Sequence, residues 1–344
     1  MNPTLNKNLF VWNRKCLLLF FCLMTGLFIS SCATTKPVEK RVETTIYQSD
    51  NYIIYRLQDS ETSKYLAKKY LGDEKKAWQI EEANPEKSFS AGQYIIIPLQ
   101  EKNKGGISSK GYQVVPVLTY HRFGEKCSSN LCMPKDIFEQ QMKYLRENGY
   151  YSVTPEELFA FLDYRQALPK KSMMITMDDG FRSVYDIAFP IMKKYGFTAT
   201  LFVYTDFVGI SRSAITWDQL REMKANGFSI GSHTVAHSDL TKKGEDESEQ
   251  DFLSRIKKEL RDSKKIIDKK MGQDTIILAY PYGNCDQRVI EYSKEAGYKM
   301  AMTVKRGGNA FFTDSMLLKR DQILSEDMQI FHSRLLTLNR LLLE

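Results

Sequence analysis

The chain has 344 residues, of which 42% are hydrophobic, 26% charged and 12% aromatic, with 49 Lys and Arg against 42 Asp and Glu. This composition excludes a disordered chain, a collagen and a multi-span membrane protein, and the length admits one large domain or two to three small ones. The net charge of +7 is mild and, without a basic–aromatic motif, gives no ground for a nucleic-acid partner.

The elements begin with an export segment. Lys7, Arg14 and Lys15 precede the apolar run from Cys16 to Phe28, which is too short to span a bilayer comfortably, and Ile29-Ser30-Ser31-Cys32 closes it. A basic start, a short apolar run and small residues make a secretory signal over residues 1–31. The small residues ending in Cys32 resemble a bacterial lipobox, which implies lipidation of the Cys32 thiol, cleavage before it and a membrane anchor; the competing reading is an uncleaved anchor helix. Ala33, rather than Asp, after the lipidated cysteine favours the outer membrane if the cell is Gram-negative. Cleavage removes three basic residues and no acidic one, so the charge falls from +7 by three to +4. Outside the cytoplasm Cys127 and Cys132, separated by four residues, have the option of pairing, with Cys285 left as the odd thiol.

Residues 32–50 are polar and read as a tether. Residues 51–100 form a small unit: an apolar run Tyr52–Tyr55, a helix around Tyr65–Tyr70, a second short helix around Trp78–Ala83 stopped at Asn84-Pro85, and a closing strand in Gly92–Pro98. Trp78-Gln79-Ile80, Asn84-Pro85 and the closing segment resemble a LysM module, which implies a βααβ fold and binding of N-acetylglucosamine-containing glycans. The family's first-loop Gly-Asp-Thr is replaced by Ser60-Glu61-Thr62. A structural spacer is the alternative. Residues 101–112, rich in Gly, Ser and Lys, read as a linker.

From 113 to 344 strand and helix patterns alternate, which points to an α/β domain with a largely parallel sheet. Strands are expected at Val114–Tyr120, Met173–Met177, Thr200–Val203, Phe228–Ile230, Ile276–Ala279, Met300–Thr303 and Leu317–Lys319. Helices are expected from Ile137 to Leu145, after the capping box Thr154-Pro155-Glu156-Glu157, from Tyr185 to Tyr195, from Leu220 to Ala225, from Phe252 to Ile267, and as an amphipathic end from Met328 to Leu343.

Three clusters fall where strands end, the place where α/β folds put their sites. Asp178-Asp179-Gly180 offers two adjacent carboxylates, one to hold a cation and one to move a proton; an ordinary Asp-Gly turn is the alternative. His233 and His237, at i and i+4, converge on one metal if the segment turns helically, and with one carboxylate they make a three-ligand set with open positions. Tyr280-Pro281-Tyr282-Gly283 has the form of a turn that fixes a backbone N–H and walls a sugar site.

Together these segments resemble the NodB-type polysaccharide deacetylases, carbohydrate esterase family four. Tyr120-His121-Arg122 and Gly227–His233 fit the same pattern. The resemblance implies a distorted (β/α) barrel over 113–344 and metal-dependent removal of N-acetyl groups from N-acetylglucosamine units of peptidoglycan, chitin-like polymers or exported poly-N-acetylglucosamine. It implies Asp179, His233 and His237 as ligands of a divalent metal, usually Zn2+, Asp178 as general base, and the Tyr282 N–H as an oxyanion donor. Tyr120, Tyr280, Pro281 and Tyr282 are the expected substrate contacts. The family's usual Arg before the Pro of the third motif is absent, and so is its late His. Arg320 is a candidate to replace that Arg from another strand, and His121 is the candidate acid or a substrate contact, with a structural His as the alternative. His332 reads as structural. Competing functions are a cell-wall-binding lipoprotein with impaired catalysis and an O-acetyl polysaccharide esterase.

Overall fold

A computed structural model describes residues 44–101 and 103–340; the export segment and Cys32 lie outside the described residues. No helix among the described residues is long and apolar enough to cross a membrane.

The first folded part contains β1 (Thr45–Gln48), β2 (Tyr52–Arg56), α1 (Ser63–Leu71), α2 (Ala77–Ala83) and β3 (Tyr94–Pro98). β2 pairs antiparallel with both β1 and β3. Strand alternation sends Ile53, Tyr55, Ile95 and Ile97 inward, onto Leu66, Ala67 and Ile80 of the helices. Thr62 caps α1 by accepting the Tyr65 N–H, and Gly72 ends it in the left-handed region. Asn84 staples α2 to β3: its amide donates to Ile80 O and Ile96 O, each at 2.7 Å, and accepts from Ile96 N at 2.9 Å. Ser60 stands at φ 68°, a conformation that suits Gly better. Glu61 accepts from the Tyr55 hydroxyl and the Gln58 amide. β1 begins inside the stretch read as tether, where Thr45–Gln48 pairs antiparallel with β2.

The larger part carries β4 (Gly111–Gln113), β5 (Val117–Tyr120), β6 (Arg122–Gly124), β7 (Cys132–Pro134), α3 (Lys135–Glu147), β8 (Tyr151–Ser152) and α4 (Pro155–Leu162). It continues with β9 (Ser172–Met177), α5 (Phe189–Tyr195), β10 (Thr200–Val203), α6 (Trp217–Ala225), β11 (Ser229–Ser232) and α7 (Glu249–Met271). It ends with β12 (Ile277–Ala279), α8 (Gln287–Glu295), β13 (Met300–Met302), β14 (Asp321–Gln322), α9 (Met328–Ser333) and β15 (Leu338–Arg340).

The main sheet is parallel in the order β13-β12-β11-β10-β9-β5-β14, with β8 added beside β9. Val117, Met174, Phe202, Ile277 and Met302 meet in an inner cluster with Leu318. Leu118, Ile175, Leu201 and Ile230 pack outward on α3, α5 and α6. β9 is buried along its whole length, as a strand covered on both faces must be.

The sheet curls because one segment touches both of its edges. Leu318 bridges Met302 on β13, and Asp321–Gln322 pairs with β5. The strand expected at Leu317–Lys319 is therefore a single bridge, with its ladder displaced to Asp321–Gln322. The C-terminal helix expected to reach Leu343 stops at Ser333. Leu338–Arg340 instead pairs antiparallel with β4, whose edge would otherwise be bare. Cys127 and Cys132 form a disulfide and Cys285 is a half-buried free thiol.

Candidate active site

His121, Asp178, Asp179, His233 and Tyr282 follow the C-terminal ends of strands, while Arg320 immediately precedes β14. After β9 the backbone turns through Asp179 at φ 74° and Gly180 at φ 88°. Aspartate is one of the few residues with a side chain to visit this region readily. Asp178 remains anchored, its N–H donating to Tyr120 O at 3.0 Å. Its carboxylate points into the barrel, while that of Asp179 turns toward the histidines.

Asp178 Oδ1 accepts from Arg320 Nη1 at 2.8 Å, and both side chains are buried. Arg320 Nε donates to Thr303 O at 2.9 Å. Burial, the largest single influence, would raise the Asp178 carboxyl, but the charge and hydrogen bond of Arg320 together with the charges of His233 and His121 outweigh it and hold the group at about 2. Arg320 sits in the segment that joins the two sheet edges, so closure of the barrel delivers the cation.

His233 Nδ1 lies 2.7 Å from Ala279 O. A carbonyl accepts only from an N–H, so the proton is on Nδ1 and the Nε2 lone pair is free. Burial lowers this imidazole to about 4. The expected helical turn does not form: the chain reverses through Thr234 at φ 72° and His237 at φ 58°. Glu259 of α7 supports the loop by accepting the Val235 and Ala236 amides at 2.8 and 2.9 Å. Sequence reasoning missed Glu259, whose signal was an acid on the inward stripe of α7, between Ile256 and Leu260.

The three donor atoms form a nearly equilateral triangle. His237 Nε2 is 3.2 Å from His233 Nε2 and 3.4 Å from Asp179 Oδ1, and His233 Nε2 is 3.7 Å from the same oxygen. The point equidistant from all three is about 2.0 Å from each, and zinc binds nitrogen and oxygen donors at about 2.0–2.2 Å. Three donor atoms at this spacing fit one divalent metal ion. Burial first, and the charge of Asp178 second, push Asp179 up to about 6.

Tyr282 stands at φ 60° in the turn Pro281–Gly283. Its exposed ring approaches that of His237, with centroids 4.9 Å apart. Gly283 has no room for a side chain, since a Cβ there would meet the Val304 backbone at 2.6 Å. His121 is half-buried beyond β5, and its Nδ1 has no hydrogen-bond partner among the described residues.

The other expected sugar contacts do not reach the surface. The Tyr120 side chain is buried and donates to Gln141 Oε1 at 2.8 Å. Tyr280 is buried with Leu278, Val289 and Ile290, and Pro281 is buried too. The period of two explains both tyrosines: Tyr120 shares the outward face of Leu118, and Tyr280 that of Leu278. His332 stacks on Tyr144, with centroids 3.9 Å apart, away from these groups.

The parallel sheet and strand-end constellation define an α/β protein with an Asp-His-His group able to hold a metal ion. Residues 165–301 match the polysaccharide deacetylase family. The deacetylase PplD of Streptococcus pyogenes, solved with acetate, superposes with a TM-score of 0.57 at 31% identity, covering 61% of this chain and 92% of that one. YxkH of Bacillus subtilis, named as a candidate polysaccharide deacetylase, is 35% identical over 193 residues; the match covers 56% of this chain and 65% of YxkH. The poly-beta-1,6-N-acetyl-D-glucosamine N-deacetylase of Staphylococcus aureus is 27% identical over 202 residues, covering 56% of this chain and 69% of the relative. This chain belongs to the polysaccharide deacetylase family.

Proposed function

We propose that the protein is a metal-dependent N-deacetylase of N-acetylglucosamine polymers at the cell envelope. The observation that carries this reading is the donor triangle of Asp179, His233 and His237 beside a separately ionised Asp178. Asp179, His233 and His237 would hold a divalent ion, Zn2+ on this donor chemistry, which when bound would supply water acidification and polarisation of the amide carbonyl. Asp178 takes the proton of the attacking water, and Arg320 keeps its carboxylate charged and aimed. The Tyr282 N–H donates to the oxyanion as the carbonyl carbon becomes tetrahedral. His121 returns a proton to the amine nitrogen, so that the C–N bond breaks and acetate and a free amine leave. The buried Arg320–Asp178 pair supports catalysis over the impaired-barrel reading, since it supplies the guanidinium missing from the third motif.

Residues 51–100 act in this reading as a LysM glycan-binding module, supported by the βααβ order and the Asn84 staple. In the same reading, cleavage after Ser31 and lipid on Cys32 anchor the enzyme outside the cytoplasm, at the outer membrane if the cell is Gram-negative. The test is acetate release from peptidoglycan, chitin oligomers and poly-N-acetylglucosamine, with and without chelator. Release that stops with chelator and returns with Zn2+ is expected. Zinc-independent release, or release from O-acetylated polymer alone, overturns the reading.

A further inference from the structure

A cleft of about 420 Å3, lined in part by close chain neighbours of His121 and Asp179, carries charge that the chemistry above does not use. Its size is in the range of ligand sites, about 300–1,000 Å3. Arg122, Lys126, Arg182 and Arg212 line it, with Asp186 as the one carboxylate. Asp186 is taken by Arg182 at 3.2 Å. Arg122, Lys126 and Arg212 have no carboxylate partner among the described residues. Arg122 rests over the Phe181 ring at 5.0 Å, which fixes its direction without spending its charge.

The walls are tied to one another. β6 and β7 pair in parallel with Arg122 opposite Cys132, and the Cys127–Cys132 disulfide closes the loop that follows Lys126. The Phe123 N–H donates to Ser183 Oγ at 3.1 Å, and the Arg182 N–H donates to Ser213 O at 2.8 Å. Three separate segments are thereby held around one cavity. The cleft adjoins the reaction site through the chain itself: Arg122 follows His121, and Phe181 comes two residues after Asp179.

We infer that this cleft is a subsite for an acidic substituent, a carboxylate or a phosphate, on the sugar next to the reacting N-acetylglucosamine. The preferred substrate class is then an anionic N-acetylglucosamine polymer rather than a neutral homopolymer. Charge favours this assignment. Each deacetylation leaves an ammonium group, and three uncompensated cations repel a growing run of such groups. The same cations attract a glycan whose other sugars are negative. The inference rests on the deacetylase reading.

The experiment compares kcat/KM for acetate release from oligosaccharides of equal length. One is neutral, one carries a carboxylate on the neighbouring sugar, and one carries a phosphate there. The wild-type ratio of acidic to neutral substrate is expected to be about tenfold or more at low salt and to shrink toward unity near 1 M, where screening acts within about 3 Å. The carboxylate and phosphate arms decide between the two acids. In the Lys126→Gln/Arg212→Gln variant the ratio is expected to fall at least fivefold (about 1 kcal/mol). A wild-type ratio near one, or an unchanged ratio in the variant, overturns the subsite and leaves the deacetylase reading standing. Calorimetric binding of the same oligosaccharides to Asp178→Asn protein reads the cleft without turnover. Acid-selective binding there, with no acetate released by wild type from any of the three, keeps the subsite and overturns the deacetylase reading.

Discussion

The floor and the mouth of the site are separated by one peptide bond and obey opposite electrostatics. On the floor, Asp178 is buried and ionised because the chain supplies its own cation, Arg320, at 2.8 Å. At the mouth, burial and the charge of Asp178 push Asp179 up to about 6, with two imidazole nitrogens 3.4 and 3.7 Å from its oxygen. The first carboxylate is complete as folded; the second is completed by a cation from outside. The left-handed conformation of Asp179, continued by Gly180, turns the chain away directly after Asp178, so the two side chains diverge. Residue type alone therefore does not assign a role to either aspartate.

The sharpest way to break this comparison is to remove one group from each region and measure metal and rate together. His233→Ala is expected to abolish stoichiometric zinc and to lower kcat/KM by more than about 10³-fold, since both water activation and carbonyl polarisation go with the ion. Asp178→Asn is expected to keep zinc near one equivalent and to lose about 10²–10⁴-fold in kcat, the usual worth of a general base. Metal analysis of the two purified proteins is the check. Loss of zinc from Asp178→Asn would mean that the floor residue is also a ligand and that the two regions are one.

A smaller effect tests the floor alone. Arg320→Met leaves a buried carboxylate without its partner, and breaking such a pair costs about 3–5 kcal/mol. Adding Asp178→Asn removes the stranded charge, so the double variant is expected to recover part of that loss. Urea unfolding of the two single variants and the double variant measures the coupling. Additive effects would show that the pair is not what holds the floor together.

The degree to which each region was legible in the sequence follows the same division. The mouth was readable, because Asp179, His233 and His237 stand next to strand ends and their chemistry is local in the chain. Its backbone was not: the histidines converge through left-handed residues and the support of Glu259, and nothing in the His-x-x-x-His spacing distinguishes that loop from a helix. On the floor, Arg320 could be named only as a substitute for an absent residue, since its reach to Asp178 depends on a barrel closure between segments 142 residues apart. Tyr120 and Tyr280 were misplaced because a strand-end position was given more weight than strand alternation. The C-terminal helix was overextended because a run containing Leu335, Leu338 and Leu341 satisfies a helical period as well as an edge strand.

The mildest and most diagnostic difference between the regions is their response to acid. Asp179, raised to about 6, must lose its proton before it can ligate. His233, lowered to about 4, is already neutral throughout that range, and burial also lowers His237. Zinc affinity is therefore expected to be flat above about pH 7 and to fall about tenfold per unit below pH 6, with one proton displaced per ion. The signs for the metal-free fold are opposite for the two ligands. His233 has a folded value below its unfolded one, so it withdraws stability as the pH falls from 6.5 toward 4. Asp179 has a folded value above its unfolded one, so it returns stability as the pH falls from 6 toward 3.8. Asp179 offsets His233, while His237, also lowered, adds a further withdrawal, so the metal-free Tm is expected to fall modestly between pH 6 and 4.5, while the increase in Tm given by added zinc disappears over the same interval. Melting curves at half-unit steps, with and without zinc, separate the terms. A two-proton loss of affinity centred near pH 6.5 would assign the proton competition to the histidines and cancel the distinction drawn between the two aspartates.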